Sequence, residues 1–127
     1  MKNPLYIPDS HLRLEERSDG VVRISLSAHL LSLLGRPSFV GVSAVADSDI
    51  QPNVPFASVE TDKTAYDVAI PFRATFLAAN PDAVVNPAAL LGAEGAAGWL
   101  CDVVPAPGVD WRCGLLDEAG YASYVQP

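Results

Sequence analysis

Ala57-Ser58-Val59-Glu60-Thr61-Asp62-Lys63-Thr64-Ala65-Tyr66-Asp67-Val68 reads as two alternating segments mirrored about Asp62-Lys63. Side chains on a strand point alternately to its two faces, and directly opposed residues of an antiparallel pair share a face. With a two-residue turn at Asp62-Lys63, Ala57 faces Val68, Val59 faces Tyr66 and Thr61 faces Thr64, an apolar and β-branched face. The other face sets Ser58 against Asp67 and Glu60 against Ala65, which suits solvent. Lys63, the only lysine in the central part of the chain, is thereby placed at a hairpin tip, where it is chemically addressable. Asp-Lys is not a favoured type I′ pair, so the expected tip is a type I turn or a loop one residue wider.

Working outward, Val22, Ile24 and Leu26 alternate with more polar neighbours after the Asp19-Gly20 turn signal and read as a half-buried strand. Ser27 is placed to cap a short helix whose leucines at 30, 31, 33 and 34 form a stripe, with Gly35 as its stop. Phe39 to Val42 is a short strand, and Asp47 to Pro55 a polar, proline-containing loop. Pro71 ends the second hairpin arm, and Ala74 to Ala79 is strand-like. Asn86-Pro87 is a cap and first-turn proline, closed by Gly92, and Gly92 to Gly98 is small-residue-rich loop. Trp99 to Val104 is a strand broken by Pro105. Asp117 caps a last helix that sets Tyr121, Tyr124 and Val125 on one face. Many short strands with scattered short helices make a β-rich sandwich or barrel with peripheral helices, including a C-terminal one.

At 127 residues the chain is expected to form one domain, 1–127, with a real hydrophobic core. Half its residues are hydrophobic and 18% charged, which argues against disorder. Fifteen acidic residues against 8 Lys and Arg leave a formal charge of −7. No basic stripe interleaved with aromatics is present, so a nucleic-acid partner is not expected; the acidity favours basic protein partners. Met1 to Leu5 lacks the apolar core of a signal peptide, and no stretch approaches the roughly 18 apolar residues that span a membrane. The expected location is cytoplasmic, with no membrane partner. Cys101 and Cys113 fit that compartment as free thiols and are too few for a zinc site. A redox role for the pair stands beside the more ordinary reading of small buried hydrophobes. His11 and His29 have no companions at metal-ligand spacing, and Trp99 and Trp111 read as core or edge aromatics.

The chain resembles the glycine cleavage system H proteins, a family of lipoyl carriers, over almost its full length. Glu60-Thr61-Asp62-Lys63-Thr64 is similar to the family's E-S-x-K-[AT] lipoylation motif, and Asp67, Val68 and Pro71 follow at the family's spacing. So do Asn80, Pro87, Gly98-Trp99 and Leu115-Leu116-Asp117 with Tyr121. Leu34-Gly35, Phe39-Val40 and His11 match upstream positions. Biotin carriers flank their lysine with methionines, whereas here the neighbours are Asp62 and Thr64. The resemblance implies a mainly β, barrel-sandwich hybrid fold and a protein that is not an enzyme but a carrier subunit. It implies lipoate on Lys63 as the cofactor, with Glu60 and Asp62 recognised by the lipoate-protein ligase or lipoyl-transferring enzyme that attaches it. Such an arm ends in a cyclic disulfide that undergoes thiolate exchange, and tethering raises its effective concentration at each partner.

Several positions depart from the family pattern: His11-Leu12-Arg13 in place of H-E-W, Arg36 after Leu34-Gly35, Gly41-Val42-Ser43 in place of E-L-P, and Ala74 in place of a glycine. They favour slightly a divergent paralogue, a lipoate-binding protein of sulfur oxidation working with a heterodisulfide-reductase-like complex. The alternative is a genuine H protein, shuttling the aminomethyl group among glycine decarboxylase, aminomethyltransferase and dihydrolipoyl dehydrogenase. A third reading is an unmodified adaptor of the same fold.

Overall fold

Alternation of small and β-branched residues with polar ones builds nine strands among the described residues, 3–92 and 98–126 of a computed structural model. These are β1 (Leu5–Tyr6), β2 (Leu12–Glu16), β3 (Val22–Leu26), β4 (Pro37–Val42), β5 (Asp49–Ile50), β6 (Ala57–Thr61), β7 (Ala65–Val68), β8 (Ala74–Ala79) and β9 (Cys101–Pro105). Three short α-helices, α1 (Ala28–Leu34), α2 (Pro81–Val85) and α3 (Glu118–Val125), and a 3-10 turn at Pro87–Gly92 lie between or after them. Among the described residues no helix is long and apolar enough to cross a membrane.

The strands form two antiparallel sheets, one of six in the order β1-β2-β3-β9-β8-β5 and one of three in the order β4-β6-β7. In the larger sheet Leu14 pairs with Ile24, Ile24 with Cys101 and Val22 with Val103, so these side chains share a face. In the smaller, Val40 pairs with Val59 and Ala57 with Val68. All of them belong to one buried cluster that also takes Leu30, Leu31 and Leu34 of α1 and Phe56, Phe76 and Leu100. Removing that apolar surface from water is the main driving term for the fold.

Several local expectations hold in detail. Ser27 caps α1, its hydroxyl accepting from the Leu30 amide at 3.1 Å, and Gly35 ends the helix at φ 91°. Ala74–Ala79 is a strand with the bounds read from sequence. Asp117 caps α3 by accepting from the Gly120 amide at 2.7 Å.

Others need correction. The first twenty residues hold β1 and β2, which the mixed charge of that segment conceals. Leu12 and Leu14 are fully buried, while Arg13, Glu15 and Glu16 between and after them stay partly in solvent. Asp47 to Pro55 is not all loop, because Asp49–Ile50 adds an edge strand to β8. The second hairpin arm ends at Val68, three residues before Pro71. Helix α2 has no counterpart among the elements expected from the sequence. Asn80 caps it through Asp82, with Pro81 in the first turn; the short helical turn expected from Pro87 to Gly92 is present, as a 3-10 turn. The last strand starts at Cys101 and includes Pro105. On α3 Tyr121 is buried but Tyr124 is exposed, so the three residues do not form one packed stripe. The loop expected at 92–98 lies largely outside the described residues.

Candidate functional site

β6 and β7 pair in the anticipated register: Ala57 with Val68, Ser58 with Asp67, Val59 with Tyr66 and Glu60 with Ala65. Val59 and Val68 are wholly buried, whereas Glu60, Ala65 and Asp67 on the other face are exposed. Thr61 and Thr64 close the hairpin through a 2.8 Å bond from the Thr61 amide to the Thr64 carbonyl. Asp62 and Lys63 make the tip. Neither has a positive φ, which rules out the type I′ geometry.

A side chain stands in for the missing special turn. The Thr61 hydroxyl donates to the Leu34 carbonyl at 2.7 Å and accepts from the amides of Lys63 and Thr64 at 3.2 and 3.3 Å. The tip is thereby tied to the last turn of α1. Beyond that turn, the position a Cβ of Gly35 would occupy lies 3.8 Å from both Cδ and Cε of Lys63. The lysine's methylene stem thus runs along a bare stretch of backbone, leaving its ammonium end in solvent. Among the described residues no carboxylate forms an ion pair with Lys63.

Glu60 and Asp62 are exposed on either side of Thr61. Glu60 has Phe39 and Ala65 as its cross-strand neighbours, and its carbonyl accepts from the Ser38 hydroxyl at 3.1 Å, where β4 is bulged between Pro37 and Phe39. Phe39 is 52% exposed, lying over Gly41. The tip region therefore presents a displayed amine, two carboxylates and one aromatic ring. Nothing in this set is a nucleophile activated by a base.

A surface cavity of about 270 Å³ lies beside β7, lined by Ile7, Asp9, Ser10, Asn53, Asp67, Ala69 and Pro71. Two carboxylates give it an anionic rim. Tyr66 and Tyr124 hold its N-terminal wall: the Tyr66 hydroxyl donates to the Ser10 carbonyl at 2.5 Å, and the Tyr124 hydroxyl to Asp9 at 3.1 Å. Burial is the main cause that pushes the Tyr66 phenol above its ordinary value, so it stays protonated and donating.

The remaining sequence candidates fall elsewhere. Cys101 is fully buried in β9, and burial raises its thiol far above the ordinary range, which suppresses the thiolate that exchange chemistry requires. Cys113 is exposed. The His11 and His29 rings meet at a tilt of 58° with centroids 4.9 Å apart, and His11 Nδ1 lies 2.8 Å from the Tyr121 hydroxyl. Trp111 is buried, and Trp99 sits beneath the Arg23 guanidinium at 3.9 Å, which itself forks onto Asp102. Sequence reasoning passed over the Thr61 clamp, the Gly35 floor and the acidic cavity. Only Thr61 left a trace in the sequence, as a hydroxyl two residues before the lysine.

The family model described as glycine cleavage H-protein matches residues 5–127. A glycine cleavage system H protein from Chromobacterium violaceum is 34% identical over 120 residues, covering 92% of this chain and 90% of that protein. One from Nitrosospira multiformis is 32% identical over 124 residues, 98% of this chain and 94% of its own. The crystal structure of a glycine cleavage system H protein from Mycobacterium marinum superposes with a TM-score of 0.79 at 25% identity, covering 95% of this chain and 94% of that one.

Proposed function

Because the chain belongs to the glycine cleavage H-protein family, whose members are non-catalytic lipoyl carriers, we propose that it is the carrier of a glycine cleavage system, with lipoate amide-linked to Lys63. Its two sheets with short helices are the barrel-sandwich fold of lipoyl carriers. The observation that carries the assignment is the display of Lys63 at a two-residue tip, stem against Gly35 and amine in solvent. A lysine placed so fits amide attachment, since acylation removes a charge that no carboxylate among the described residues pairs with. When bound, the group supplies a disulfide that is reduced and re-formed by thiol exchange.

This chain's own residues then have three tasks. Thr61 and Gly35 fix the base of the arm. Glu60 and Asp62 flank the lysine as the features a lipoate-protein ligase reads. Asp9 and Asp67 rim a cavity on the strand leading away from Lys63, and their charge suits a protonated amine rather than an anionic sulfur species. This favours the aminomethyl role, with glycine decarboxylase, aminomethyltransferase and dihydrolipoyl dehydrogenase as partners.

Part of the case for a divergent sulfur-oxidation paralogue also weakens on the fold. Leu12 and Ala74, two of the departures from the family pattern, are 0% and 1% exposed, so they are core substitutions and not altered partner surface. The relatives above are themselves glycine cleavage system H proteins. No observation here favours a heterodisulfide-reductase-like partner.

Intact mass of protein produced in a lipoylation-competent host tests the attachment. One lipoyl adduct is expected on wild type and none on Lys63→Ala; an adduct that persists in the variant sinks the assignment. Glycine–bicarbonate exchange with purified glycine decarboxylase tests the pathway, and a lipoylated protein that fails to support it is not the glycine carrier.

A further inference from the structure

We propose that Thr61 is a positioning residue for Lys63: its hydroxyl locks the tip backbone to the end of α1 and so sets the direction in which the lysine leaves the fold. This rests on the reading of Lys63 as the lipoylated residue. A hydroxyl has one proton and two acceptor lone pairs. Here the proton goes to the Leu34 carbonyl at 2.7 Å, in preference to the Thr64 carbonyl at 3.4 Å. Both lone-pair directions are taken by the amides of Lys63 and Thr64. One oxygen thus satisfies two tip amides and one carbonyl of the last helical turn, a turn that leaves its carbonyls without helical partners.

The consequence is geometric. Leu34, whose carbonyl receives the Thr61 proton, is followed directly by Gly35, along which the Lys63 stem lies. Thr61 therefore fixes the start of the lysine, through its amide, relative to the floor that guides the rest. In the attachment reaction the neutral Nζ attacks the carbonyl carbon of a lipoyl adenylate. The C–N bond forms, the bond to the phosphate oxygen breaks, AMP leaves with the electron pair and the nitrogen loses a proton. The ligase must meet that nitrogen at a defined place, so a tip held in one orientation raises the rate of the chemical step.

Thr61→Val keeps the shape and removes both functions of the hydroxyl, whereas Thr61→Ser keeps them. The test is steady-state lipoylation by a purified lipoate-protein ligase with ATP and lipoate, read by intact mass. Thr61→Val is expected to lower kcat about tenfold with little change in KM, while Thr61→Ser stays near wild type. Amide exchange at Lys63 and Thr64 should accelerate in the valine variant only. Equal kcat for wild type and valine variant, or a serine variant as slow as the valine one, overturns the positioning role. Should Thr61→Val fail to fold, Thr61→Ala measured in the cold carries the same comparison. A wild-type protein that accepts no lipoyl group overturns the Lys63 assignment instead, which keeps the two failures apart.

Discussion

His11 occupies a left-handed backbone conformation, φ 62°, and its ring is caught between the Tyr121 hydroxyl and His29. Burial first, then the charge of His29, lowers its pKa below the ordinary imidazole value, with Asp9 opposing. A consistent chain of donors runs from the Leu30 amide to Ser27, from Ser27 to Tyr121 and from Tyr121 to an unprotonated His11 Nδ1. The folded state thus prefers neutral His11 more than the unfolded chain does. The stabilisation is complete above the unfolded value of about 6.5 and is lost as pH falls through the lower folded value. Urea midpoints should therefore drop between neutral pH and pH 5 in wild type and drop less in His11→Gln; parallel profiles would remove His11 as the cause. Lys63 shows the opposite kind of residue. Its place at the tip was legible from its neighbours in sequence, because a hairpin is a local structure and its facing pairs are fixed by short-range alternation. The Thr61 clamp was not legible, since Leu34 lies 27 positions away.

Among elements, those whose signals are contiguous were readable: the β6–β7 hairpin, the Ser27 and Asp117 caps, and β8. Asp117 is the cap that orders α3, which is also held by Tyr121, stacked on Tyr6 at 4.3 Å, and by the Tyr124 hydroxyl on Asp9. Asp117→Ala should cost about 1 kcal/mol in a denaturant titration, and Asp117→Asn much less. Elements whose signals compete with charge or with their surroundings were missed. β2 is one, because Arg13 and the glutamates mask the period of Leu12 and Leu14. α2 is another: Asn80 gains its role as a cap partly by donating to the Trp99 carbonyl at 2.8 Å, a contact no local pattern foretells.

At the scale of the whole molecule, the two sheets close over a single cluster to which strands from both ends of the chain contribute. Leu100, fully buried just before β9, is bonded through its backbone to Ile24 and Asn80. Leu100→Ala is expected to lose about 2–5 kcal/mol in a denaturant titration; a second transition there would divide the chain into more than one unit. Lys63→Ala should leave the unfolding midpoint unchanged, being an exposed residue outside the core. A large shift with Lys63→Ala would mean that the lysine supports the fold rather than an attached group.

The sequence by itself determined the mirrored hairpin, the lysine at its tip and the family, because these depend on alternation and spacing within short reach along the chain. Tertiary structure alone decided what holds that lysine. The end of α1, the bare backbone at Gly35 and the acidic cavity formed with the N-terminal segment come together only when the sheets bury their apolar faces. Contacts made by burial join residues far apart in sequence, and no local pattern records them.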